Sequence, residues 1–263
     1  MLSEFPGHLA QAAKDSPGSL LVVIGGDGTV NEVVNGVAGT AAELAVLPCG
    51  TGQDFGRTHG LPTRFDDAVR VALGGETRVI DLGRVELGKS SNGGTSRFFA
   101  NVGSAGMSGA VARRANAMTK AFGGRATFFY ALTREFLAWQ NTHVMVELED
   151  GVRREGPMHD VIVANGNWHG GGMKLAPDAR QDDGVFDVVL IGDVTKLDFL
   201  TTAPKLYSGR YLSHPKVELL QSSSVTIRAS EPLPLEVDGE PIGATPARFE
   251  VVPSALRLRV PAA

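Results

Sequence analysis

Residues 20–31 read LLVVIGGDGTVN, an apolar run that stops abruptly at two glycines and an aspartate. Residues 20–24 are too few for a helix and predict a strand buried on both faces. Past the glycines the period changes: Val30, Val33, Val34 and Val37 fall at i, i+3, i+4 and i+7, a helical stripe that ends at Gly39. Residues 44–47 predict a second short strand, which runs into a second such break, PCGTGQDFGR, and residues 65–73 read as another helix. Strands alternating with helices predict an α/β N-terminal domain over residues 1–76, a parallel sheet with helices on its faces.

From Thr77 the character changes. Segments such as TRVIDLGRVEL, HVMVELED, HDVIVANG, SSVTIRA and ARFEVV alternate apolar with polar residues between Gly, Asp or Pro turns. That pattern predicts antiparallel strands and a β-sandwich domain over residues 77–263. Helical insertions are expected at 107–140 and around 196–207. Phe129, Phe136 and Trp139 keep helical spacing there, as core or as the wall of an acyl pocket or a bilayer contact.

Glycines let a backbone approach an anion with no Cβ in the way, and the N–H groups that open a helix carry partial positive charge. GGDGT before a helix is therefore a candidate phosphate cradle, although one such loop alone is equally well a tight turn. The second loop, GTGQDF, opens on the same edge of the sheet, where open α/β folds bind ligands. A carboxylate beside phosphate makes chemical sense when it works through a metal ion or water, so Asp27 and Asp54 are candidate metal-linked groups. Neither GxGxxG nor GxxxxGK[ST] occurs, so a dinucleotide fingerprint and a P-loop are not indicated. In LEVDGEPIG, Leu233, Leu235 and Val237 share one parity and Glu236, Asp238 and Glu240 the other, which predicts that the core excludes these carboxylates. A plain DG hairpin turn is the alternative there.

A net charge of -4 offers no general attraction to nucleic acid. Cys49 is the single cysteine, so no internal disulfide forms and a reducing cytoplasm fits. The N-terminus has neither the basic start nor the apolar core of a signal peptide, and no apolar run approaches the ~18 residues of a spanning helix. Membrane contact is thus expected to be peripheral. The histidines lack metal-binding spacing; His169, in NWHGGGMK, stands apart because its glycine-rich loop can lie over the cleft.

Four stretches in order, VVIGGDGTVNEVVNG, LAVLPCGTGQDFGRT, ANGNWHGGGMKLAPDARQDDGVFDVVLI and LEVDGEPIGATPARFEVVPSALRLRVP, resemble the diacylglycerol kinase catalytic-domain family, bacterial diacylglycerol and sphingosine-type lipid kinases in particular. The resemblance spans about residues 20–261. It implies transfer of the γ-phosphate of ATP to a lipid hydroxyl with Mg²⁺, in a cleft between an α/β and a β-sandwich domain. Carried onto this sequence, it implies that Gly25, Gly26, Asp27, Gly28, Thr29 and Asn31, with Gly50, Thr51, Gly52 and Asp54, bind the nucleotide phosphates. It places the proton acceptor at Glu240, supported by Asp238 and acting with Asp27. A structural Mg²⁺ is implied at the Asp183 side chain and the backbone carbonyls of Arg180 and Val185. The implied partner is a lipid met at a membrane surface, with pairing to a second copy left open. The family begins with a strand and an NPxSG-like loop before the GGDGT strand, and this sequence starts just upstream of the latter, so an incomplete nucleotide domain is expected. Gln53 also stands where Asn is usual. A non-catalytic nucleotide- or lipid-binding relative therefore stays open, as does, at lower rank, an NAD kinase, which shares GGDGT but not the combination of GTGxDF with PxAxxDDGxxD.

Overall fold

A short helix, α1 (His8–Lys14), precedes strand β1 (Leu20–Gly25), and α2 (Asp27–Val37) follows after a single intervening residue. The computed structural model describes residues 7–88, 96–118 and 124–262. Helix α2 buries Val30, Val33, Val34 and Val37, the stripe expected from their spacing. Strand β2 (Glu43–Pro48) lies parallel to β1, Gly25 opposite Pro48, so both glycine-aspartate breaks leave the same edge. Helices α3 (Asp54–Thr58) and α4 (Phe65–Gly74) complete this layer. Strand β1 is an edge strand with Leu20, Val22 and Ile24 exposed, not covered on both faces as its continuous apolar run predicts.

Strand β3 (Glu76–Leu87) leads into β4 (Ser96–Phe99) and β5 (Val102–Gly106), followed by α5 (Met107–Ala117) and α6 (Gly124–Ala138). The part of the expected helical insertion at residues 119–123 lies outside the described residues. Next come β6 (Thr142–Leu148), β7 (Arg153–Met158), β8 (Asp160–Ala164) and the small hairpin of β9 (Trp168–His169) and β10 (Met173–Lys174). The chain ends through β11 (Phe186–Ile191), α7 (Lys196–Thr202), β12 (Val217–Ser222), β13 (Ser224–Ala229), β14 (Pro234–Val237), β15 (Glu240–Ala244) and β16 (Ala247–Val260). Helix α7 is stopped at its start by a capping box between Thr195 and Asp198, and a 3₁₀ segment, Ala203–Ser208, continues it.

Two sheets result. One is six-stranded and antiparallel, in the order β12-β11-β8-β5-β14-β15. The other is mixed and eight-stranded, running β1-β2-β16-β13-β6-β7 with β3 and β4 paired beside β16. Val85, Phe99, Val161, Phe186 and Phe249 fill the space between the sheets, and Phe99 stacks on Phe186 with centroids 5.7 Å apart. The architecture is thus an α/β N-terminal domain with a mixed sheet and an antiparallel β-sandwich C-terminal domain. Strand β16 serves both: Ala247 to Ile227 pairing ties it to β13, while Leu258 pairs in parallel with Leu44 of β2.

Candidate active site

The two glycine-aspartate breaks interlock. Helix α2 begins at Asp27 itself, with Gly26 as its N-cap, so most of the expected loop is already helix. Asp27 Oδ1 accepts a hydrogen bond of 3.0 Å from the Phe55 N–H. A Cβ at Gly50 would stand 2.8 Å from the Gly26 Cα, so the two backbones approach as only glycine permits. A Cβ at Gly25 would likewise run into Thr29, whose side chain folds back over the end of β1. Thr51 is exposed on the same rim.

Asp54 is buried at the start of α3, after Gln53 in the left-handed region at φ 55. Its carboxylate accepts from Arg57 Nη1 at 2.8 Å and from the Gly171 N–H at 2.7 Å, while the same Arg57 nitrogen donates to the Gly52 carbonyl. The glycine-rich β9–β10 turn therefore lies against the second break, as its sequence predicts for a loop over the cleft. Asp27 and Asp54 flank Gly52, where a Cβ would stand 2.5 Å from Asp27 Oδ2 and 3.8 Å from Asp54 Oδ2. A Mg²⁺ placed between them with phosphate oxygens would meet Asp27 Oδ2, which takes no hydrogen bond among the described residues, and Asp54 oxygens that already accept from Arg57 and the Gly171 N–H.

The turn between β14 and β15 faces these breaks. Glu240 opens β15, half-buried and without a hydrogen-bond partner among the described residues, and a Cβ at Gly28 would stand 3.4 Å from its Oε1. Asp238 does something else. Its carboxylate accepts from Asn31 Nδ2 (2.8 Å) and from the N–H groups of Ala100 (2.8 Å), Asn101 (2.9 Å) and Val102 (3.0 Å). Burial pushes its carboxyl above the usual carboxylate range against the pull of those donors. Asp238 is thus a clamp on the chain, and supports Glu240 by fixing the turn. Asn31 departs from its expected place on the phosphates. Its amide is spent on Asp238 and the Phe98 carbonyl, and its oxygen accepts from Arg97, so it bridges the domains.

The expectation that the core excludes all three carboxylates of this segment fails at Glu236, which is 0% exposed. Strand β14 lies inside its sheet, between β5 and β15, with α5 packed against it, so alternation no longer sorts apolar from polar. Glu236 Oε1 accepts from Ser104 Oγ at 2.7 Å and lies 3.3 Å from His169 Nε2, and its Oε2 accepts from the Gly239 N–H at 2.7 Å. Burial works against a charged His169, yet the charge of Glu236, their hydrogen bond, and the charges of Asp54 and Asp238 hold the imidazole up at about 9. Glu236 has no signal in its parity; only a carboxylate between two core residues hints at it.

The segment around Asp183 lies apart. Asp183 is exposed and its Oδ1 accepts from the Val185 N–H at 3.2 Å, while the Arg180 guanidinium turns to Asp182. Burial, with the charges of Asp183 and Asp178, pushes the Asp187 carboxyl up against a hydrogen bond from Gln221. The two expected carbonyls leave one side chain as ligand, and among the described residues no three His, Cys, Asp or Glu side chains gather as a metal cluster.

The diacylglycerol kinase catalytic domain matches residues 3–85, and the YegS C-terminal NAD kinase beta sandwich-like domain matches residues 101–260. Diacylglycerol kinase of Staphylococcus carnosus (strain TM300) is 35% identical over 235 residues, 88% of this chain and 72% of the relative. That of Bacillus subtilis (strain 168) is 30% identical over 247 residues, 92% and 78% of the two chains. A crystal structure of a diacylglycerol kinase from Bacillus anthracis str. Sterne superposes with a TM-score of 0.71 at 20% identity, covering 99% of this chain and 84% of that one. Yeast NADH kinase complexed with NADH shares the fold more distantly, with a TM-score of 0.54 at 15% identity over 92% and 61% of the chains. The matches define a kinase built from an α/β domain and an NAD kinase-like β-sandwich. The chain belongs to the diacylglycerol kinase family, and so to the lipid kinases.

Proposed function

We propose that this lipid kinase transfers the γ-phosphate of ATP to the hydroxyl of diacylglycerol or of a lipid of similar headgroup. The observation that carries the reading is the placement of Glu240, whose carboxylate is set against Gly28 at the start of α2 and has no hydrogen-bond partner among the described residues. A phosphate held by the N–H groups at Gly26 to Thr29 would lie next to that carboxylate. Residues 1–76 take the nucleotide and residues 77–263 the lipid, with Gly25, Gly26, Gly28, Thr29, Gly50, Thr51 and Gly52 forming the phosphate-facing rim.

Glu240 takes the hydroxyl proton as the lipid oxygen bonds to the γ-phosphorus, while the bond from that phosphorus to the β-γ bridging oxygen breaks and ADP leaves with the electron pair. Asp27 and Asp54 are the residues that would hold a Mg²⁺, which would offset the negative charge of the phosphates. Asp238 keeps the turn in place through its bonds to residues 100–102. A structural Mg²⁺ at Asp183 would be held by that one side chain with the carbonyls of Arg180 and Val185, and solvent would supply its other oxygens. The lipid is met at a membrane surface, and among the described residues no helix is long and apolar enough to cross one.

The test is phosphate transfer from labelled ATP to diacylglycerol, sphingosine and ceramide in mixed micelles, with NAD as the competing acceptor. The reading expects label in a glycerolipid. Label in NAD alone, or ATP binding without transfer to any acceptor, contradicts it.

A further inference from the structure

Glu236 is a carboxylate with no exposure, set between Leu235 and Val237, both core residues. A buried charge costs several kcal/mol unless it is paired and hydrogen-bonded, and such a pair adds little net stability over apolar residues. Stability alone is therefore a poor account of it. Its bonds are directional: to Ser104 on β5, to His169 on β9, and to the N–H of Gly239. Gly239 is the residue between Asp238 and Glu240, in the left-handed region at φ 85, and its carbonyl accepts from Asn116 of α5. Two residues beyond His169, the Gly171 N–H donates to Asp54.

One buried pair thus touches both halves of the cleft. We infer that His169 and Glu236 are positioning residues, which fix the Glu240 turn relative to the loop on Asp54 through the Gly239 and Gly171 N–H groups. This rests on the reading of Glu240 as proton acceptor. Neither residue touches the reacting atoms. The charge of Glu236 and its hydrogen bond raise His169 above its ordinary value, which agrees with a pairing already given by the 3.3 Å approach.

The experiment compares Glu236→Gln, His169→Gln, their double variant and Glu240→Gln in the full chain. Each single change at the pair leaves one charge buried without its partner, whereas the double variant removes both charges and keeps amide hydrogen bonding, so it folds even where a single variant does not. Steady-state transfer to diacylglycerol is measured well below each melting temperature, and amide hydrogen exchange is followed at residues 238–240 and 168–172. Positioning predicts a kcat roughly 10- to 100-fold lower in Glu236→Gln, with both KM values within about twofold, because misplacing a proton acceptor by a fraction of an ångström acts on the transition state. The double variant should regain part of that loss. His169→Gln should raise exchange at residues 238–240, distant in sequence, and where it does not fold the double variant is read at the same residues.

Unchanged kcat in Glu236→Gln and the double variant, with only melting temperatures moved, overturns the inference while leaving the proton acceptor intact if Glu240→Gln loses turnover. Turnover retained in Glu240→Gln overturns the underlying assignment instead. Exchange at residues 238–240 that ignores every change at the pair overturns the coupling regardless of activity.

Discussion

Asp27 and Asp238 are both acidic, both at turns and both hydrogen-bonded to backbone N–H groups, yet they should answer to mutation in opposite ways. Asp27 accepts one bond, from Phe55, through Oδ1. Asp27→Asn keeps that acceptor, so its melting temperature should stay within a few degrees of the parent while transfer falls about 10²-fold or more, because the charge that would hold a Mg²⁺ against the phosphates is gone. Asp238→Ala removes a carboxylate that serves Asn31, Ala100, Asn101 and Val102, and leaves buried donors unpaired. It should cost about 3 kcal/mol or more by denaturant unfolding. Equal effects of the two changes on stability would contradict this division. The glycine-aspartate breaks were legible because the same combination of glycines and an aspartate ends two successive apolar runs. Asn31 was not, since its place one helical turn along from Asp27 says nothing of the Asp238 and Arg97 that claim its amide.

At the scale of elements, the i, i+3, i+4, i+7 spacing of valines made α2 legible to its last turn, while the end of the chain was not. ARFEVV reads as a strand of the second domain, but β16 carries it on to Val260 through an irregularity between Val252 and Leu256, where Ser254 takes φ 53. Its second half lies beside β2, and nothing local marks a pairing across two hundred residues of sequence. Leu258 is 0% exposed and pairs with Leu44, in the core that also holds Val34 and Val46. Leu258→Ala should therefore cost about 2–5 kcal/mol and weaken nucleotide binding, although the residue lies far from both glycine breaks in sequence. Proteolysis or hydrogen exchange that loosens only the sandwich, and not residues 20–48, would speak against it. The same logic explains β14: parity predicts burial only where one face of a sheet is open, and α5 closes the other.

For the whole molecule, the cleft is held by bonds that cross between domains, Asn31 to Asp238 and Gly171 to Asp54. The His169–Glu236 pair beneath them gives global stability an alkaline limit. Its folded pKa of about 9 lies above the ordinary 6.5, so the native state binds more protons than the unfolded one between these values. Its contribution is complete below about pH 6.5 and is lost as pH rises through about 9. Buried His59 and His159, pushed down to about 3 and about 4, act in the opposite direction and only on the acid side. The melting temperature should fall by several degrees between pH 7 and 9.5 in the parent, and stay nearly flat in the His169→Gln/Glu236→Gln variant. Parallel curves would place the alkaline loss elsewhere.

The central claim is that Glu240 accepts the proton of the lipid hydroxyl from its place against the nucleotide end of α2. The direct measurement is kcat for diacylglycerol phosphorylation and the Kd for ATP in the parent and in Glu240→Gln, which keeps size and removes the acceptor. Because Glu240 has no hydrogen-bond partner among the described residues, the variant should melt like the parent. The account predicts a kcat lower by roughly 10²- to 10⁴-fold with the ATP Kd within about twofold. A variant that turns over like the parent, or one that loses ATP affinity in proportion to its rate, would contradict it.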